Sequence, residues 1–176
     1  MTGPLRLLVV LFLVCGIAAG SLAFVNAATK ERIAEFARLE KIEAMRKMLP
    51  QAEEFLELEP DKVWEARKGG ESVGHVLAAS TQGYSGPIRS LVGLDDAGSI
   101  TGVWVLEQTE TPGLGARIAS AEFLAQFQGR KPEEAALRKD DPAGKIDAIT
   151  SATISSRALA NAIRKTVSEH LKGVQP

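Results

Sequence analysis

Apolar residues follow three different rhythms along this chain. Across residues 7–24 they are nearly continuous, LLVVLFLVCGIAAGSLAF, and no charged residue stands between Leu7 and Thr29. A helix of that length and composition matches the ~30 Å hydrocarbon core of a bilayer, so the segment reads as a transmembrane anchor. A cleaved signal peptide is the alternative, because Val25-Asn26-Ala27 offers a small-residue cleavage site. The apolar run, however, exceeds the roughly 7–15 residues of a signal h-region. Over residues 28–49 the apolar positions are Ile33, Phe36, Leu39, Ile42, Met45 and Met48, set among Lys, Arg and Glu. That spacing predicts an amphipathic helix stopped by Pro50.

Beyond Pro50 the pattern shortens to that of strands and turns. Residues 62–67 and 72–79 read as short strands joined at Gly69-Gly70, and a second hairpin is predicted from 88–94 and 99–106 around Asp95-Asp96-Ala97-Gly98. Gly83-Tyr84-Ser85-Gly86-Pro87 separates the two hairpins as a loop. Ile118, Phe123, Leu124 and Phe127 then mark a helix ending at Gly129, and the charged stretch 131–145 is loop-rich. Residues 135–137 and 146–148 are candidate short strands. A last helix is expected over residues 156–172, with Gly173 placed to end it. The predicted class is α+β: an N-terminal transmembrane helix, then a small antiparallel sheet with flanking helices. The organisation expected is anchor 1–27, linker helix 28–50 and globular domain 51–176.

Composition narrows the chemistry. The 176 residues carry a net charge of −1, with charged residues of both signs mixed, which excludes the basic footprint of a nucleic-acid binder. Cys15 is the only cysteine and lies in the apolar run, so no disulfide, zinc or iron–sulfur site is available to this chain. His75 and His170 read as packing or surface residues, and no nucleophile elbow accompanies them, which argues against a hydrolase.

Two loops stand apart. In Glu110-Thr111-Pro112-Gly113-Leu114-Gly115, proline fixes one φ while the glycines permit close backbone approach to a flat ligand. Position 118 is Ile, so the third glycine of a dinucleotide fingerprint is missing and NAD binding is not expected. The second loop, residues 147–156, reads DAITSATISS and sets five hydroxyl side chains immediately before the last helix. Ser155 or Ser156 fits a helix cap, and the helix N-terminus behind them suits a phosphate.

Together these two loops make the chain resemble the FMN-binding domain family, and within it the G subunits of Rnf electron-transport complexes. The family's attachment motif is Asp-x-x-(Ser/Thr)-Gly-Ala-Thr. Asp147, Thr150, Ala152 and Thr153 match it, whereas Ser151 stands where the family has glycine. The resemblance implies FMN bound covalently through a phosphoester to Thr153. It also implies a cofactor site including Glu110, Thr111, Gly113, Leu114, Thr150, Ser151, Ala152, Ser155 and Ser156, with Asp147 recognised by a flavin transferase. Arg157, poorly placed for a bare helix dipole, is expected beside the phosphate.

The implied function is electron relay, without independent turnover, in an ion-translocating ferredoxin:NAD oxidoreductase. Its partners would be other membrane and peripheral subunits, the flavin transferase and membrane lipid. The C subunit of the sodium-translocating NADH:quinone oxidoreductase is the alternative within flavoproteins, and a membrane-anchored scaffold without flavin is the alternative outside them. Arg6 precedes the apolar run while Lys30, Arg32, Arg38 and Lys41 follow it, a count that would hold the domain in the cytoplasm. The family resemblance implies the opposite: a single-pass protein of a bacterial or archaeal cytoplasmic membrane with its domain on the outer, periplasmic side.

Overall fold

The computed structural model describes residues 3–174; residues 1–2 and 175–176, at the two ends of the predicted spans, lie outside the described residues. The chain divides into two units, Met1–Lys41 and Ile42–Pro176.

The first unit is helical throughout its described residues. It belongs to α1 (Gly3–Met48), so the predicted anchor and the predicted linker helix form one unbroken element. No proline interrupts the helix after Pro4. The polar residues near the predicted junction bond back into it: the Ser21 hydroxyl donates to the Ile17 carbonyl at 2.8 Å, and the Thr29 hydroxyl to that of Val25 at 2.8 Å. Among the described residues α1 is the one helix long and apolar enough to cross a membrane. Leu7, Phe12 and Phe24 are exposed, as lipid-facing side chains would be, and so are Ile33, Phe36 and Leu39 further along.

The second unit is built on a five-stranded antiparallel meander in the order β1 (Glu54–Glu59), β2 (Val63–Lys68), β3 (Glu71–Gln82), β4 (Pro87–Leu94) and β5 (Ile100–Gln108). The four predicted strands are present. β1 is additional: its sequence, EFLELE, carries three glutamates and lies at the sheet edge, where only Phe55 is half-buried and its short Leu-Glu alternation faces solvent. Gly69 and Gly70 take positive φ at the β2–β3 turn. α2 is shorter than predicted. Residues Gly115–Ala119 form a 3-10 turn, and Ser120 leaves helical geometry at ψ 144° to cap α2 (Ala121–Ala125) through its hydroxyl. Residues 135–137 and 146–148 contribute only an isolated parallel bridge, Leu137 to Ile146.

Alternation along the strands gives the sheet two apolar faces. One face carries Trp64, Ala66, Val76 and Leu91, covered by Ala44, Met45, Met48 and Leu49 from the end of α1. Met48 sits over two glycines paired across β4 and β5, Gly93 and Gly102; a Cβ on Gly102 would stand 3.1 Å from Met48 Cγ. The other face carries Leu77, Ile88, Val92, Leu94 and Val103, packed against α3 (Thr153–Val174) through Leu159, Ala160, Ile163 and Val167. Phe123 and Phe127 close this larger core edge to face, with centroids 5.7 Å apart.

Candidate functional site

Three loop segments meet at the N-terminal end of α3. The first is the turn between β3 and β4, closed by a hydrogen bond from the Gly83 amide to the Gly86 carbonyl at 2.8 Å, with Tyr84 exposed at its tip. The second follows β5. Glu110 is only 4% exposed, and its amide donates to Gln108 Oε1 at 2.7 Å. Its two carboxylate oxygens have separate partners: Oε1 accepts from the Ser85 amide at 3.0 Å, and Oε2 accepts from the Ser155 hydroxyl at 2.5 Å. Gly115 is required here, because a Cβ would lie 2.7 Å from Glu110 Oε2 and 3.0 Å from Ser155 Oγ. Gly113 takes φ 76°, the left-handed turn expected of the glycine loop.

The third segment is the hydroxyl-rich motif. α3 begins at Thr153, three residues earlier than the sequence suggests, so Ser155 and Ser156 lie inside its first turn and neither is its cap. Ser156 is fully buried; its hydroxyl donates to the Ala152 carbonyl at 2.9 Å and accepts from the Ile149 amide at 3.1 Å, which knots the turn onto the helix. Ser151 takes φ 66°. The left-handed angle is what a glycine at this position serves, and serine holds the same turn at a strain of about 1 kcal/mol. Asp147 is fixed through its backbone by Gln126, whose Oε1 accepts from the Asp147 amide at 2.7 Å. The Asp147 carboxylate is exposed and pairs with Arg138 at 3.2 Å.

The cleft these segments enclose measures about 480 Å³ and is lined by Glu110, Thr111, Leu114, Gly115, Tyr84 and the run from Ser151 to Ser155. Of the residues singled out in the sequence, Thr153, Ser151, Ala152, Ser155, Glu110, Thr111 and Leu114 are thus brought together. Gly113 and Ser156 stand outside this lining. Thr150 and Asp147 face a separate cleft of about 200 Å³ shared with Arg117 and Gln126. Arg157 is not at the cleft: Nε and Nη2 pair with Asp140 at 2.6 and 2.9 Å. That hydrogen-bonded guanidinium holds the Asp140 carboxyl below its ordinary value. The expectation that Arg157 stands beside a phosphate is therefore corrected, since a nearer carboxylate has claimed it.

The donor set of the cleft fits an anion attached to a flat apolar group. Ala152, the residue before α3, has no side-chain oxygen to satisfy the first-turn amides. By helix geometry those of Thr153, Ile154 and Ser155 have no carbonyl four residues back within the helix. They sit at the positive end of a 22-residue helix, as an anion requires. Tyr84, Leu114 and Ile154 are exposed at 69%, 46% and 52%, leaving an apolar rim beside those amides. Sequence reasoning missed Tyr84 and Gln126; the aromatic residue between glycines in GYSG was the available signal for the first, and nothing local marks the second.

The histidines meet elsewhere. His75 on β3 and His170 near the end of α3 have ring centroids 4.9 Å apart, and burial, with the neighbouring His75, lowers the His170 pKa. At 1.5 Å per residue His170 is about 22 Å along the helix from Ser155, too far to activate a hydroxyl there.

Residues 83–168 match the FMN-binding domain model, a span that contains all three cleft segments. The chain is 32% identical to the G subunit of the ion-translocating oxidoreductase complex of Methanosarcina acetivorans, over 92% of each chain. It is 30% identical to the G subunit of the Na(+)-translocating ferredoxin:NAD(+) oxidoreductase complex of Acetobacterium woodii, over 92% of this chain and 89% of that one. Among solved structures, the C subunit of the Na(+)-translocating NADH-quinone reductase from Parabacteroides distasonis superposes with a TM-score of 0.55 at 26% identity, covering 65% of this chain and 62% of that one.

Proposed function

Because the chain belongs to the family of FMN-binding G subunits of ion-translocating oxidoreductase complexes, we propose that it relays electrons through FMN carried covalently on Thr153. It is a membrane-anchored, single-pass, FMN-binding subunit of an ion-translocating ferredoxin:NAD oxidoreductase. The observation that carries the attachment reading is the position of Thr153. It is the first residue of α3, it lines the cleft, and it stands where the uncapped helix amides are aimed. Thr150, the other threonine of the motif, faces the smaller cleft instead.

FMN, when bound, supplies one- and two-electron redox chemistry that no side chain of this protein offers. The chain's own residues bind and orient. The amides of the first turn of α3 would hold the phosphate, and Ser151 keeps the left-handed turn that opens them to the cleft. Leu114 and Ile154 would give the ring an apolar seat, with Thr111, Ala152 and Gly115 beside them in the cleft lining. Ser155 and Ser156 direct their hydroxyl protons to Glu110 and to Ala152, so they shape the site by positioning backbone. The exposed Asp147 carboxylate is available to the flavin transferase that installs the bond. Gly113 gives the glycine loop its turn.

In this reading the soluble domain lies on the outer side of the membrane, a location that favours a tethered cofactor over one free to diffuse away. The remaining subunits supply NAD binding, iron–sulfur centres and ion conduction, and α1 contacts lipid. The relatives aligned over nearly the whole chain are G subunits, which favours this reading over a C-type one.

Co-expression with a flavin transferase, followed by a denaturing gel, tests the attachment. The wild-type band is expected to fluoresce, Thr153→Val to be dark and Thr150→Val to remain bright. Fluorescence persisting in Thr153→Val would move the bond to another residue, and a dark wild-type band would leave a scaffold.

A further inference from the structure

Glu110 presents a carboxylate buried to 4% exposure at the junction of the three cleft segments. A buried charge is costly unless each oxygen is hydrogen-bonded, and its bonds are then of the stronger, charge-assisted kind. Here one oxygen holds the Ser85 amide, 25 residues away in sequence, and the other holds the Ser155 hydroxyl, 45 residues away. Gly83 and Gly115 leave the room for it: a Cβ at Gly83 would overlap Oε1, and a Cβ at Gly115 would crowd Oε2. With both oxygens engaged and both flanks closed by backbone, the carboxylate is built as a tie between segments. What it ties is informative. Ser85 adjoins Tyr84, whose ring is 69% exposed at the cleft, and Ser155 lies in the first turn of α3.

We propose that Glu110 is a positioning residue that clamps the 83–86 loop to the first turn of α3, so that Tyr84 forms an aromatic wall for the flavin ring. The aromatic half of this inference rests on the FMN reading above; the clamp does not. An aromatic ring offset-stacked on a second ring is favoured beyond the area it buries. That gain is available only if the loop carrying Tyr84 is held. The clamp provides the hold without placing a cation in the cleft, leaving the anion to the helix amides.

Two measurements on the full chain in detergent decide it. Amide hydrogen exchange at Ser85 reads the clamp, with or without flavin. Glu110→Ala and Gly83→Ala are each expected to speed that exchange about tenfold or more, as expected of a local opening, while Glu110→Gln, which keeps the shape and one acceptor, restores part of the protection. Emission of the attached flavin reads the wall. Read per flavin on the denatured band, Tyr84→Leu and Glu110→Ala are each expected to brighten it by about twofold or more, since an aromatic ring stacked on the excited flavin quenches it by electron transfer. Ser85 exchange at wild-type rate in both Glu110→Ala and Gly83→Ala overturns the clamp. Unchanged emission per attached flavin in Tyr84→Leu overturns the wall. A wild-type protein that takes no flavin defeats the attachment reading, and Ser85 exchange on that flavin-free protein still decides the clamp.

Discussion

The two faces of the sheet are both apolar, but only the one under α3 ends in a cleft. Beneath the end of α1 the contacts are chiefly apolar packing, Met45, Met48 and Leu49 on Trp64, Ala66, Val76 and Leu91, with the Lys47 ammonium over the Trp104 ring at 4.9 Å and glycines where backbones approach. The face under α3 starts the same way, with Ile163 and Val167 on Leu77 and Val92. Towards the N-terminus of that helix it changes character. There a serine holds positive φ, an alanine stands where a helix ordinarily has a hydroxyl or carboxylate, and a carboxylate is buried. Each departure costs stability, and all three surround one cleft. Concentrated local violations on an otherwise regular scaffold are how a functional site differs from a core.

The strongest way to test that contrast is from the conventional side. Leu91→Ala, at a fully buried position of the α1 face, is expected to cost about 2–5 kcal/mol in urea unfolding of the protein. Flavin attachment should be retained at temperatures where the variant is folded. Loss of attachment by folded Leu91→Ala would mean that the two faces are not separable. A smaller effect of the opposite sign is expected in the cleft: Ser151→Gly should stabilise the protein by roughly 1 kcal/mol by relieving the left-handed angle. No gain in the urea midpoint would show that the serine side chain contributes something a glycine cannot.

The smallest effect lies at the far end of α3, beside His75. Burial lowers the His170 pKa, so the unfolded chain binds more protons than the folded one between the folded value and the ordinary value near 6.5. Stability is therefore full above pH 6.5 and declines as pH falls through that window. Urea midpoints measured from about pH 8 to about pH 5 should fall less steeply for His170→Gln than for wild type. An equal slope would assign the decline to other groups.

Most of the scaffold was legible because it repeats. The anchor declares itself by an uncharged run, and the two hairpins by β-forming residues around Gly69-Gly70 and Asp95–Gly98. β1 was hidden because its Leu-Glu alternation spans only four residues and half of the strand is glutamate, which is depleted in strands. The start of α3 was misplaced because serines read as caps, whereas Ser156 bonds inward to Ala152 and Ile149 and the cap position is an alanine. The motif named Thr153, but the roles of Glu110 and Tyr84 depend on segments 25 and 45 residues apart meeting in space. No local spacing encodes that meeting.

The edge strand that the sequence concealed has a consequence for life in a membrane. Anchored copies share a two-dimensional film, where encounters between neighbours are far more frequent than in free solution. A sheet with an open apolar edge would add strands from its neighbours and grow into aggregates. β1 sets Glu54, Glu57 and Glu59 around its exposed Leu56 and Leu58, and at the opposite edge Ile100 of β5 is already bonded to Gly129 and Arg130. Like-charged glutamates along that edge oppose the pairing of one copy's β1 with another's.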